Sequence, residues 1–161
     1  MLFRSNPLAH ELTTGPEIIA QTEGRLTHLV AGMGTGGTLM GTAACLKKQL
    51  PSVQIVGVEP NLGHAIQGLK NMKEAIVPAI YCEATLHRKL VIDDDTAFET
   101  ARQLASQEGI FCGMSGGAAM AGAFRLADEL QEGIIVVIIP DRGDRYLSTN
   151  LFKSMCANCP P

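Results

Sequence analysis

Apolar residues follow two different spacings along this chain, and the spacings alternate. In residues 27–31 and 53–60 they run almost without interruption, which is typical of parallel strands covered on both faces. Residues 94–109 instead carry apolar side chains at helical spacing, with acidic residues in the first turn and a glycine after the end. The unalternated segment 133–140, GIIVVIIP, predicts a central parallel strand.

Shorter signals predict the remaining elements. A helix is expected over residues 13–23, with Thr14 as its N-cap and Glu17 completing a capping box. A second helix is expected over residues 37–50 because Pro51 ends it. Residues 61–89 are predicted to be irregular with one or two helical turns, and a segment of that length suggests a functional loop. A short strand is then expected over 89–93, and 110–130 repeats the order strand, glycine turn, helix.

Alternating strands and helices predict an α/β fold, an open parallel twisted sheet with helices on both faces and right-handed connections. In such sheets ligands bind outside the carboxyl ends of the strands. Three glycine- or proline-containing turns follow strands here, at residues 32–38, 113–117 and 140–145. We therefore expect these turns to lie near one another and to form a single site.

The first of these turns, GMGTGGT, is a loop of unhindered amides at the start of a helix. Such amides donate to phosphate oxygens, and the helix dipole favours the negative charge. A tight turn that merely brings strand and helix together is the simpler interpretation, but the density of glycine disfavours it. The loop also fits G-x-G-x-x-G, and Glu59 lies 22 residues after Gly37, so a dinucleotide-binding oxidoreductase is the main competing interpretation.

Two features favour a compact phosphorylated cofactor over a dinucleotide. Thr35 and Thr38 add hydroxyl donors beside the glycine amides, which suits a terminal phosphate. The second glycine turn carries a lone serine, Ser115, before another helix, and a flat ring held between two loops needs such a turn. A plain helix N-cap is the alternative role for Ser115.

Composition narrows the classes of function. The 161 residues are the length of one domain, and the net charge is −3 with no basic patch denser than Lys47-Lys48, which argues against a nucleic-acid partner. No apolar run reaches the roughly 20 residues that span a bilayer, so we expect a cytoplasmic protein and no membrane partner. Cys45 and Cys112 are expected to be buried and hydrophobic. Cys156 and Cys159 form one C-x-x-C without a second pair, so no metal site is predicted.

Five segments of the chain match a known set of motifs in the same order: TTGPEI, GMGTGGT, VGVEP, GIFCGMSGGAA and IIPDRGDRYLST. With them the chain resembles the cysteine synthase/cystathionine β-synthase family, whose members are fold-type II enzymes that use pyridoxal 5′-phosphate (PLP). The resemblance extends over about residues 6–152 and implies that the phosphate is that of PLP. By the same resemblance Ser115 forms a hydrogen bond at the pyridine nitrogen, and Pro140 and Asp141 lie against that edge of the ring. The residues that it assigns to the phosphate are Gly34, Thr35, Gly36, Gly37 and Thr38.

The loop AIQGLKNMKEAIVPAIY is more similar to B-type than to A-type cysteine synthases. Gly68 and Lys70 in this loop are the candidate substrate-binding residues. A branch that uses O-phosphoserine has an arginine where Lys70 stands here, so Lys70 is a candidate for a substrate phosphate or carboxylate. A solvated loop lysine is an equally good interpretation, and lysine lacks the bidentate geometry of arginine.

The family's reactive lysine, which forms the Schiff base with PLP, lies in the N-terminal half of the enzyme, and none of the six lysines here matches it. We therefore predict no catalytic residue in this chain. Residues 1–152 are expected to be the C-terminal large domain of a cysteine synthase-like enzyme, and 153–161 a tail that leads toward a further domain. The isolated chain is predicted to bind PLP weakly and to be inactive.

The resemblance implies a parent reaction and partners. The expected reaction replaces the β-substituent of O-acetylserine or O-phosphoserine with sulfide to give L-cysteine. The expected partners are the amino-acid substrate, the missing N-terminal half and a second copy in a homodimer. Cystathionine β-synthase-like activity and a non-catalytic module that kept the phosphate loop remain alternatives.

Overall fold

The computed structural model describes residues 4–152, which form five α-helices and four strands. The helices are α1 (Ser5–Leu12), α2 (Thr14–Gln21), α3 (Gly37–Gln49), α4 (Asp94–Gln107) and α5 (Met114–Ala127). The strands are β1 (His28–Gly32), β2 (Gln54–Pro60), β3 (Arg88–Ile92) and β4 (Ile135–Val137).

The four strands form one parallel sheet in the order β3-β2-β1-β4. Val30 pairs with Val56 on one side and with Val137 on the other. Successive residues of β1 point to opposite faces, because Leu29 packs in a cluster with α2 and α3 whereas Val30 packs in a cluster with α4 and α5. The predicted α/β fold with helices on both faces is therefore confirmed.

The start of the chain differs from the prediction, because α1 was not expected and Thr14 is not an N-cap. Thr13 precedes α2, makes no side-chain cap, and donates its hydroxyl to the carbonyl of Ala9 at 2.7 Å. The Thr14 hydroxyl meets the ring of His10 at 2.9 Å. The predicted capping box is wrong because the chain enters α2 from another helix, whose groups engage both threonine hydroxyls.

The apolar segment 133–140 also differs from the prediction, because β4 contains only Ile135–Val137 and lies at an edge of the sheet. Its alternate side chains do reach both clusters, with Val137 in one and Val136 in the other. Both are only half-buried, because among residues 4–152 no strand pairs with the outer edge of β4. The strand expected before the second glycine turn is reduced to one antiparallel bridge between Cys112 and Arg142.

Two other predictions are confirmed. Between β2 and β3 the chain has a single 3-10 turn, Glu83–Thr85, so this segment is irregular as expected. Helix α4 begins with acidic residues in its first turn, and the side chain of Asp93 accepts a hydrogen bond from the Thr96 amide at 2.8 Å. Gly109 after that helix has a φ of +69°, a backbone conformation that favours glycine.

Candidate functional site

A cavity of about 120 Å³ lies where β1 and β4 end and where α3 and α5 begin. All three predicted turns contribute to its wall, so the expectation that they lie together is confirmed. Ser115 comes from the second turn, Pro140 from the third, and Gly68 and Leu69 from the loop after β2. The first turn contributes Gly32, Gly34, Thr35, Gly36, Gly37 and Thr38.

The glycine loop presents backbone amides to this cavity without side chains in the way. Gly36 has a φ of +86° and occupies the N-cap position of α3, where no side chain caps the helix. The first amides of α3 thus lack a side-chain partner of the kind that usually satisfies them. A Cβ on Gly34 would lie 2.5 Å from the carbonyl oxygen of Gly68, so only glycine fits there. Open amides at a helix start have the geometry that binds anions in other proteins, and a terminal phosphate would fit this loop.

Ser115 supplies a second polar group on the cavity wall. It is only 4% exposed and lies in the first turn of α5, whose N-cap is Gly113, so it is not the N-cap. Within residues 4–152 its hydroxyl makes no hydrogen bond, and a Cβ on Gly68 would lie 3.5 Å from its Oγ. Because Ser115 lines the cavity, its hydroxyl can pair with water or with a polar atom of a bound ring.

Thr38 lies on the wall of the cavity, and its hydroxyl is 3.1 Å from Nε2 of His10. Asn6 also belongs to α1 and lies against the start of α3, since a Cβ on Gly37 would be 1.7 Å from its Oδ1. The sequence prediction named neither His10 nor Asn6 as a site residue, because it did not expect α1. The spacing of four residues between His10 and Thr14 was the sequence signal that could have predicted their contact on a helical segment.

Asp141 lies behind the second turn and is absent from the cavity wall, which differs from its predicted place beside Pro140. Its carboxylate accepts a hydrogen bond from the Tyr146 hydroxyl. A Cβ on Gly113 would lie 2.4 Å from Asp141 Oδ1 and 2.3 Å from the Tyr146 ring. Burial, and then the hydrogen bond to Asp141, raise the pKa of Tyr146 to about 12. These contacts give Asp141 a role in holding the turn that carries Ser115.

The two candidate substrate residues occupy different places. Gly68 is on the wall of the cavity and has a φ of +91°. Lys70 is exposed and borders a neighbouring cleft of about 440 Å³ that is lined by residues 76–80. Thr35 lies on both walls, so the cleft adjoins the phosphate loop. The Lys70 amide donates to the Met33 carbonyl at 2.7 Å, which ties the two loops together.

A dinucleotide site would require Glu59 to face the cavity, but Glu59 is not on the cavity wall. It is 3% exposed, and one carboxylate oxygen lies 3.4 Å from Nζ of Lys89. The other oxygen accepts a hydrogen bond from the Met72 amide at 3.2 Å. Both oxygens are therefore engaged within the fold, and Glu59 is not on the cavity wall where a ribose would have to lie.

Cys45 and Cys112 are buried free thiols as predicted, and burial raises the pKa of Cys112. Residues 4–152 contain no group of three potential metal ligands, and none of their helices is long and apolar enough to cross a membrane. Cys156 and Cys159, and the predicted tail over 153–161, lie outside the described residues.

Comparison with known proteins assigns the family. The chain is 48% identical to cysteine synthase B of Pseudomonas aeruginosa over 147 residues, which are 91% of this chain and 49% of that protein. It is 46% identical to cysteine synthase B of Escherichia coli, with 48% of that protein covered. The chain thus spans about half the length of the curated relatives it matches.

Comparison with solved structures points to the same kind of enzyme as these relatives. A cysteine synthase (OASS) of Entamoeba histolytica superposes with a TM-score of 0.86 at 34% identity, covering 92% of this chain and 46% of that one. O-ureido-L-serine synthase superposes with a TM-score of 0.85 at 39% identity, covering 92% and 50%. The resemblance to cysteine synthases is confirmed. The family described as pyridoxal-phosphate dependent enzyme matches residues 4–141, and the chain therefore belongs to that family.

Proposed function

We propose that this chain is the phosphate-binding part of a PLP-dependent cysteine synthase. The observation that carries the proposal is the cavity in which the uncapped start of α3 and the unpartnered hydroxyl of Ser115 face one another across a space shaped by glycine. Two such groups suit a ligand with a phosphate at one end and a ring nitrogen at the other.

The proposed roles of the residues follow from their chemistry. The amides of residues 34–38 and the hydroxyls of Thr35 and Thr38 would hold the phosphate. Ser115 would form a neutral hydrogen bond with the ring nitrogen and would not keep it protonated, as a carboxylate does. PLP, when bound, supplies an electron-withdrawing ring that stabilises negative charge at the substrate α-carbon. Pro140 would close one edge of the ring site, and Asp141 would hold the Ser115 turn through Gly113.

The cavity encloses only part of such a ligand. Sites that bury a whole cofactor usually measure about 300–1,000 Å³, whereas this one measures about 120 Å³. Apolar side chains beside it are uncovered, with Ile76 91% and Val77 51% exposed. Both observations support a partner that completes the site, which we propose to be the other half of the enzyme, carrying the reactive lysine. A homodimer of the completed enzyme in the cytoplasm is part of the same proposal.

The proposed reaction replaces the β-substituent of O-acetylserine or O-phosphoserine with sulfide to give L-cysteine. Lys70 would lie at the entrance beside Thr35, where an anionic substituent on the substrate would pass. Cystathionine β-synthase-like activity, in which a thiol amino acid replaces sulfide, uses the same residues and is the second candidate. O-ureido-L-serine synthase has the same fold, so the attacking nucleophile is not fixed by this half alone.

The test is a chimera in which the N-terminal half of the Pseudomonas aeruginosa cysteine synthase B precedes this chain. The expected result is a folded, PLP-loaded protein that forms cysteine from O-acetylserine and sulfide, measured by a colorimetric cysteine assay. Parallel assays with O-phosphoserine, and with serine plus homocysteine, separate the candidate reactions. A folded chimera without PLP would refute the proposed cofactor site, and one with PLP but no β-replacement would refute the proposed reaction.

A further inference from the structure

We propose that His10 is a positioning residue that directs the hydroxyl proton of Thr38 toward the phosphate. The inference rests on the proposed phosphate site and extends it to a residue of α1 that lies outside the glycine loop. His10 stands between two hydroxyls, with Nδ1 2.9 Å from Thr14 Oγ1 and Nε2 3.1 Å from Thr38 Oγ1. The three side chains form a continuous hydrogen-bonded chain that ends at the cavity wall.

The direction of the protons along this chain decides what Thr38 offers to a ligand. A threonine hydroxyl has one proton to donate and two lone pairs to accept with. If Nε2 of His10 carries the ring proton, it donates to Thr38, and the Thr38 proton is free to point into the cavity. Nδ1 then accepts from Thr14, which has a hydroxyl proton to give. Each ring nitrogen of His10 then has a hydrogen-bond partner, and a phosphate oxygen accepts the hydroxyl proton of Thr38.

In the other tautomer of His10, the Thr38 hydroxyl would have no proton to donate to a phosphate. With the proton on Nδ1, the ring would donate to Thr14, and Thr38 would donate to Nε2. The cavity would then see only oxygen lone pairs at this position, which repel a phosphate anion. A bound phosphate therefore selects the tautomer with the proton on Nε2, and Thr14 stabilises that tautomer by donating to the other nitrogen. Doubly protonated His10 also donates to Thr38, so both forms leave the Thr38 proton available.

The packing of α1 fixes His10 in this place. A Cβ on Gly41 would lie 2.1 Å from the carbonyl oxygen of Pro7, and Gly37 is in similarly close contact with Asn6. Two glycines one helical turn apart thus let the backbone of α1 approach the first two turns of α3. The neighbouring charges on these helices, Glu11 and Lys48, pair with each other at 2.5 Å. The ring is held by the helix contact and its two hydroxyl partners.

The experiment measures equilibrium dissociation constants of the full chain for 4′-deoxypyridoxine 5′-phosphate, which has no aldehyde and forms no imine with lysine. His10→Phe should weaken binding by about 3- to 10-fold, the worth of one net hydrogen bond. His10→Gln, whose amide nitrogen reaches the position of Nε2, should bind within about 2-fold of the wild type on the same reasoning. Binding of 4′-deoxypyridoxine, which lacks the phosphate, should be equal in all three proteins.

A double-mutant comparison separates positioning from general damage. In a Thr38→Val background, His10→Phe should cause no further loss, because the hydroxyl that it positions is gone. Equal affinity of wild type and His10→Phe would overturn the role of His10, as would equal losses for the two ligands. Wild-type binding that is indifferent to the phosphate would instead overturn the phosphate site and this inference with it. If circular dichroism shows that His10→Phe does not fold, Thr14→Val provides the same test, because Thr14 is at the other end of the hydrogen-bonded series of side chains. Unchanged affinity of Thr14→Val would then refute the proposal.

Discussion

The buried carboxylate of Glu59 depends on a single lysine for its charge balance. Glu59 is 3% exposed, and the Nζ of Lys89 lies 3.4 Å from one of its oxygens. At an effective dielectric constant of about 20, two unit charges at that separation attract by about 5 kcal/mol, and the cost of desolvating both offsets much of this. The Met72 amide still binds the other oxygen when the lysine is removed.

Lys89→Met should therefore lower the free energy of unfolding by about 2–3 kcal/mol, somewhat less than removing one partner of a fully enclosed pair. The reason is that Lys89 is 28% exposed, so water reaches the site when the ammonium is gone. The measurement is urea unfolding followed by far-ultraviolet circular dichroism, because the chain has no tryptophan. In a Glu59→Gln background the same Lys89→Met change should cost less than about 1 kcal/mol, since no buried charge is left unpaired.

The matched control is Glu83→Gln, which removes the second, 69% exposed carboxylate beside Lys89. We expect it to change stability by less than about 1 kcal/mol, as for other surface pairs. Burial lowers the pKa of Lys89, but the ion pairs with Glu83 and Glu59 outweigh burial and raise it overall. The stabilisation by Lys89 should thus be complete below its ordinary pKa and disappear as the pH rises through the raised value. Equal costs of Lys89→Met with and without Glu59 would refute this reasoning.

Three further changes test other parts of the fold. Asp93→Ala removes the cap of α4 and should cost about 1 kcal/mol, whereas Asp93→Asn keeps it. Hydrogen bonds from Thr96 lower the pKa of Asp93, so the cost of Asp93→Ala should shrink as acid protonates the carboxylate. Gly41→Ala should destabilise by about 1–3 kcal/mol in urea unfolding, because α1 must move away from a Cβ and this outweighs the usual gain in helix propensity. Wild-type melting temperature should fall between pH 10 and about 12, because the pKa of Tyr146 is raised to about 12 and the unfolded chain therefore loses this proton first. Tyr146→Phe should show a smaller drop, since the loss of the Lys89 ion pairs remains, and an identical drop in both proteins would contradict the assignment.

The sequence was sufficient for the sheet, for the helices on its two faces and for the meeting of its turns. Those features follow from local periodicity and from the geometry of parallel strands, both of which are visible in a single chain. Gly34, Thr38 and Ser115, which line the cavity, could be picked out as candidates because glycine and hydroxyl clusters stand out against the apolar runs beside them. Their proposed roles came from the family resemblance, since spacing alone also fitted a dinucleotide site.

What the sequence did not reveal depends on which groups come into contact in the fold. Thr14 has the spacing of a capping box with Glu17, but its hydroxyl engages His10 of α1, a helix that was not predicted. Glu59 has the spacing of a ribose ligand, but a lysine 30 positions later in the chain neutralises it. The apolar residues of β4 reach both sides of the sheet, as in a central strand, yet the described chain gives β4 only one neighbour.

The glycine loop is held from two sides, so we expect residues outside it to affect phosphate binding. On one side α1 contacts α3 and presents His10 to Thr38. On the other side the Lys70 amide donates to Met33 at 2.7 Å, and the next residue, Asn71, donates its side chain to the carbonyl of Pro60 at 2.8 Å. A loop restrained in this way does not need to be ordered by its ligand, so binding carries a smaller entropic cost. Loosening either support should therefore weaken phosphate affinity without altering any group that touches the phosphate.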